Sequence, residues 1–194
     1  TLTTGFTAGI TMGAGDDTVT VNASALGVSA TLGNGSIDAG TGTDTLVMTG
    51  ANAATASAAV TFGNTISGFE ALKVTGTSQD TATAVNLGNL DSINTVTIDG
   101  DRDYTLSGIT PGMALTLQGV TTSATDTVLS LTAASGTTDS VSVTLANSSA
   151  GALDFGTLTA AAVETLNITT SDTGTVAAGN QYATIDILDV TAAD

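Results

Sequence analysis

A short strand signal returns eight times along the chain, each time led by a residue two places ahead of an apolar pair. It reads Asp17-Thr18-Val19-Thr20-Val21, Asp44-Thr45-Leu46-Val47-Met48, Glu70-Ala71-Leu72-Lys73-Val74 and Asn94-Thr95-Val96-Thr97-Ile98. It continues as Met113-Ala114-Leu115-Thr116-Leu117, Asp139-Ser140-Val141-Ser142-Val143, Glu164-Thr165-Leu166-Asn167-Ile168 and Asp186-Ile187-Leu188-Asp189-Val190. The steps between copies are 27, 26, 24, 19, 26, 25 and 22 residues. All lead positions but Met113 are Asp, Glu or Asn. Apolar side chains two residues apart lie on one face of a strand. A period of 20 to 50 residues marks units that bury their apolar faces only against neighbouring units. The expected fold is therefore all-β, a parallel β-solenoid of about eight coils with an acidic column beside its core.

Composition agrees with a thin stacked core. Hydrophobic residues make up 41% of the 194 residues, but aromatics only 3%, with no Trp. Thr, which suits the solvent face of strands, is about a fifth of the chain. The chain carries 16 Asp and 2 Glu against one Lys (Lys73) and one Arg (Arg102), a net charge of −16. That balance argues against nucleic acid, which needs a basic footprint, and against docking on anionic lipid. No apolar run is long enough to span a bilayer. Both ends stop in strand-like sequence, so a longer parent chain is expected.

A finer period runs through residues 1–50. Ile10, Val19, Val28, Ile37 and Leu46 are spaced nine residues apart. Two units carry glycines in a fixed frame, Gly13-Ala14-Gly15-Asp16-Asp17-Thr18-Val19 and Gly40-Thr41-Gly42-Thr43-Asp44-Thr45-Leu46. This Gly-x-Gly-x-Asp-x-apolar template resembles the nonapeptide repeat of RTX proteins, the calcium-binding parallel β-roll of bacterial secreted proteins. The resemblance implies that the Gly-rich turns bind Ca²⁺ through their carbonyls and the Asp carboxylate. Residues 1–50 then form an RTX-like β-roll and 51–194 a solenoid of longer, irregular coils, as two parts or one continuous domain. In a two-sided roll of 18 residues per turn, Asp17 and Asp44 lie on opposite sides. In a coil of three nine-residue faces they share one column. Ala51–Ala59, rich in Ala, reads as a loop or a single helical turn.

Phe69-Glu70-Ala71-Leu72-Lys73-Val74-Thr75 aligns with Val163-Glu164-Thr165-Leu166-Asn167-Ile168-Thr169, and the chain's two Glu residues fall at the same place. These elements, beside RTX-like units in a Cys-free, Lys-poor chain, resemble alphaproteobacterial surface-layer proteins of the Caulobacter type. The resemblance implies an extracellular protein of the bacterial cell surface, secreted by the type I route and folding in external calcium. It also implies partners: further copies of itself in a lattice, and cell-surface polysaccharide.

The acidic column itself asks for a cation. Strands of neighbouring coils lie about 4.8 Å apart. Two carboxylates at that separation repel by about 3–4 kcal/mol at an effective dielectric near 20. A Ca²⁺ between them reverses the sign and takes turn carbonyls as further ligands. The expected ligands are Asp16, Asp17 and Asp44 with the turns at Gly13, Gly15, Gly40 and Gly42. A second expected site is the alternating run Asp99, Asp101 and Asp103, which opens like an EF-hand loop but lacks its glycine and closing glutamate. Asp126 and Asp139 precede strands without the glycines and read as turn residues that cap their own backbone.

No catalytic residues are assigned. The chain has no His and no Cys, which removes the usual nucleophile–base pairs. The scattered aromatics offer no sugar platform for carboxylate-based glycoside hydrolysis. The expected function is a structural, calcium-binding segment of a self-assembling surface-layer protein. The alternatives are a spacer in an RTX-secreted adhesin and, less favoured, an ice-binding Thr array that uneven coil lengths should spoil.

Overall fold

The computed structural model describes residues 1–2, 7–22, 35–76, 83–100, 104–118, 127–131, 138–147, 153–155, 157–172, 183–184 and 187–191. The chain folds as a parallel β-solenoid, and every strand pairing among these residues is parallel. Near the N-terminus β1 (Gly9–Thr11), β3 (Ser36–Asp38) and β5 (Ile66–Ser67) form one narrow sheet. The main sheet has seven strands: β2 (Thr18–Thr20), β4 (Thr45–Thr49), β6 (Ala71–Gly76), β8 (Thr95–Gly100), β10 (Met113–Gln118), β12 (Ser140–Asn147) and β15 (Thr165–Asp172). A five-stranded sheet follows it around the coil: β7 (Thr83–Asn86), β9 (Tyr104–Ile109), β11 (Thr127–Leu131), β14 (Thr157–Ala161) and β17 (Ile187–Thr191). β13 (Leu153–Asp154) and β16 (Ala183–Thr184) pair separately.

The alternation seen in the sequence is what stacks the main sheet. One inward row runs Val19, Leu46, Leu72, Val96, Leu115, Val143 and Ile168, each opposite the next. Val21, Met48, Val74, Ile98, Leu117 and Val141 are buried with it. Each fully buried Val or Leu contributes about 1.5–3 kcal/mol, and here each meets like side chains above and below. Leu166 and Ile168, on the last strand of the sheet, are half-buried against this core. The side chains of Leu188 and Val190 lie outside the described residues.

The 27-residue steps settle the geometry of the first coils. Ile10 pairs with Ile37 and Val19 with Leu46, so a full turn takes three nine-residue units. Asp17 and Asp44 therefore stand in one column. Strand β4, before residue 50, pairs directly with β6, after it.

Three expectations need correction. First, the eighth motif copy does not extend the main sheet. Its strand, β17, pairs with β14 in the five-stranded sheet, so the column ends at Glu164. The motif is a generic strand signal, and either face of a coil can carry it. Second, the Met113 copy is out of step. Met113 lies opposite Val141, not Asp139, and Leu115 opposite Val143. The apolar triplet Met113, Leu115, Leu117 docks on Val141, Val143, Leu145, filling the core while shifting the lead position by two residues. Third, Gly50–Ser57 is a helix of two turns, α1, followed by the single turn α2 (Val60–Gly63). The Thr49 side chain accepts the Asn52 N–H at 3.3 Å as its N-cap.

Helix α1 covers the edge of the five-stranded sheet. The Ser57 hydroxyl oxygen accepts the backbone N–H of Asn86 on edge strand β7 at 3.0 Å, and Asn89 Nδ2 donates to the Ser57 carbonyl at 2.8 Å. A covered edge is one way to prevent unwanted strand pairing. Tyr104 is buried here, and any side chain at Gly50 would run into its phenol ring. Burial pushes the Tyr104 hydroxyl above its ordinary value of 10.0.

Candidate metal centre: the acidic column

The Gly-x-Gly-x-Asp units stack turn on turn. Gly13, Gly15, Gly40 and Gly42 all have positive φ, between 101° and 151°. Thr41 N–H donates to the Gly13 carbonyl, and Gly15 N–H to the Thr41 carbonyl, both at 2.9 Å. A Cβ on Gly40 would strike the Gly13 carbonyl, and one on Gly42 the Gly15 carbonyl. The glycines are required because two backbones meet here with no room for a side chain. Gly68, two coils along from Gly13, approaches Gly40 in the same way. It carries no motif of its own and was not singled out by sequence.

The column carboxylates lean along the stack and take backbone N–H groups from the neighbouring coil. Asp44 Oδ1 accepts the Asp17 N–H at 2.7 Å. Glu70 Oε2 accepts the Asp44 N–H at 2.9 Å, and Glu164 Oε2 accepts the Asp139 N–H at 2.7 Å. In each case the lead residue of one coil donates its N–H to the lead carboxylate of the next. Asp16 works in the opposite direction, its Oδ1 accepting the Thr43 N–H at 2.9 Å. Strand pairing stops at the turn, and these side chains satisfy the N–H groups left over. Hydrogen bonds to a charged acceptor are the stronger kind. The two Glu residues that align in sequence thus perform the same task.

The ladder is interrupted between Glu70 and Asp139. Asn94 Oδ1 is engaged by the neighbouring Thr95 hydroxyl. Asp91, which stands outside the repeat pattern, accepts the Phe69 N–H at 2.7 Å. Only the register of folded coils reveals that contact, because Asp91 is 22 residues from Phe69 and three places ahead of the lead residue Asn94.

The other expected site divides. Asp99 is the fifth residue of β8, and its Oδ2 lies 2.8 Å from Lys73 Nζ. Asp101 and Asp103 lie outside the described residues, as does Asp126. Asp139 is not a self-capping turn residue: it is only 6% exposed, and its N–H is given to Glu164.

Two oxygens in the column stand apart. Among the described residues, Asp44 Oδ2 and Asp139 Oδ2 are the buried side-chain polar atoms without a hydrogen-bond partner. Asp44 is wholly buried. A buried acceptor-only oxygen next to other carboxylates fits a hard cation in donor chemistry. Asp44 could hold Ca²⁺ through Oδ2, whereas the Gly13 carbonyl is already used by Thr41. Among the described residues no three His, Cys, Asp or Glu side chains converge as a metal-binding group. An apolar cavity of about 130 Å³, lined by Leu2, Ile10, Met12, Val19 and Ile37 among others, lies beside the first coils. No described helix is long and apolar enough to cross a membrane.

No family model, curated protein or solved structure matches this chain.

Proposed function

We propose that this chain is a structural, non-catalytic segment of a secreted bacterial surface-layer protein, one that binds calcium and assembles with its own copies in an extracellular lattice. The observation that carries the reading is the column itself. It places a carboxylate ahead of five of the seven strands of the main sheet in a chain of net charge −16, and it leaves the buried Asp44 Oδ2 without a partner. Calcium would neutralise the column where the two basic side chains cannot. In the absence of the ion the stacked charge opposes folding, which suits a chain that leaves the cell unfolded and folds in external calcium.

Lateral association of such acidic surfaces also needs neutralisation, and monovalent salt screens without bridging. Electron microscopy of the intact protein provides the test. Ordered sheets in millimolar Ca²⁺ that are lost in EGTA with 0.5 M NaCl are the expected result. Sheets that persist in EGTA overturn the calcium-bridged lattice. The regular seven-stranded stack also favours a second reading, a spacer in an RTX-secreted adhesin, for which isolated rods in calcium are the expected image.

A further inference from the structure

We propose that Asp139 and Glu164 form a second site for one hard divalent cation, in a part of the chain with no Gly-x-Gly-x-Asp motif. The ladder supplies the argument. A lead residue gives its N–H to the lead carboxylate of the next coil, as Asp17 does to Asp44 and Asp44 to Glu70. No lead residue of the coil before stands opposite Asp139: Met113 lies opposite Val141, and just ahead of it the chain turns, with Met113 N–H on the Thr110 carbonyl at 3.2 Å and Gly112 N–H on the Ser140 carbonyl at 2.6 Å.

Asp139 is 94% buried, and its Oδ2 is without a partner inside the stack. Its one counterpart among the described residues is Asp44 Oδ2. Both belong to a step in which an Asp N–H is bound by a Glu on the following coil. The same unpartnered oxygen thus recurs at both Asp-to-Glu steps, about 95 residues apart in sequence.

A buried carboxylate can be neutralised by a proton or by a cation. A proton neutralises one of the two carboxylates, while a cation between adjacent strands neutralises both. Two carboxylates with backbone or water oxygens are the donor set of a hard cation of the calcium class. No lysine can substitute, because the single Lys73 is bound to Asp99. The site rests on the calcium reading for the identity of the ion and on the buried Asp139 Oδ2 for its position.

The test uses the full chain, calorimetric titration with CaCl₂, and melting in EGTA and in Ca²⁺. Asp139→Asn is expected to bind one ion fewer and to lose about half of the calcium-induced rise in Tm. Glu164→Gln, which keeps an oxygen for the Asp139 N–H and removes the second charge, is expected to shrink that rise while remaining folded. Asp44→Asn should remove the other ion. If Asp44→Asn lowers the stoichiometry but Asp139→Asn and Glu164→Gln leave binding unchanged, this second site is wrong and the calcium reading survives. If the wild-type chain binds no calcium, both fall.

Discussion

The backbone N–H of Asp17 is bound by the carboxylate of Asp44 at 2.7 Å, across one full coil of 27 residues. That bond turns the Asp of a short turn motif into a staple between neighbouring coils. Replacing Asp44 by Ala leaves the Asp17 N–H without its acceptor, at about 1–3 kcal/mol. Asp44→Asn keeps an oxygen at the Oδ1 position and removes the buried charge. In EGTA, urea denaturation is expected to place Asp44→Asn well above Asp44→Ala in stability.

Two glycines of equal backbone conformation should respond differently to Ala. Gly13 and Gly40 have φ of 108° and 101°, so both substitutions carry strain of about 1–2 kcal/mol. At Gly13 the new methyl meets nothing within 4 Å, but at Gly40 it strikes the Gly13 carbonyl. Gly40→Ala is expected to cost about 1–3 kcal/mol more than Gly13→Ala, read as the difference in urea midpoint.

Tyr104 gives the chain an alkaline limit. Burial holds its folded pKa above the ordinary 10.0, so between pH 10 and the folded value the unfolded chain loses the proton first. Stability is full below pH 10 and falls above it, by up to about 1.4 kcal/mol per pH unit. Tyr104→Phe should remove that part of the decline in a series of denaturation curves from pH 8 to 11.

The cap on the five-stranded sheet should be locally separable. Ser57→Ala removes the acceptor of the Asn86 N–H and is expected to cost about 1 kcal/mol. Hydrogen exchange at the Asn86 amide should accelerate, while amides of Leu72 and Val96 in the main sheet stay protected.

Much of the main sheet was legible because two of its rules are local. Alternation at i and i+2 identified buried residues from Val19 to Val143, and the shared frame of Glu70 and Glu164 marked two side chains with one role. What was not legible depends on registration between distant segments. The Met113 triplet satisfies the motif yet docks two residues out of step, because packing against Val141, Val143 and Leu145 outweighs the position of a polar leader. The Asp186 copy joins a different sheet for the same reason: its pattern is that of any half-buried strand. Helix α1 was hidden by small residues with little amphipathic contrast. The column reads in sequence as a set of cation ligands, but Asp16, Asp44, Glu70 and Glu164 each commit one oxygen to a backbone N–H group of a neighbouring coil, and only the register shows which.

Coil spacings in the main sheet range from 19 to 28 residues, yet seven strands stay aligned. The hydrogen bonds that align them run along the stacking axis. A load applied along that axis therefore pulls each ladder open in its own bonding direction, one coil after another. A released 27-residue coil lengthens the chain by about 90 Å at roughly 3.4 Å per residue. A segment built in this way is stiff to sideways pressure but lengthens in steps under tension, with the increment set by the number of residues in the coil that yields.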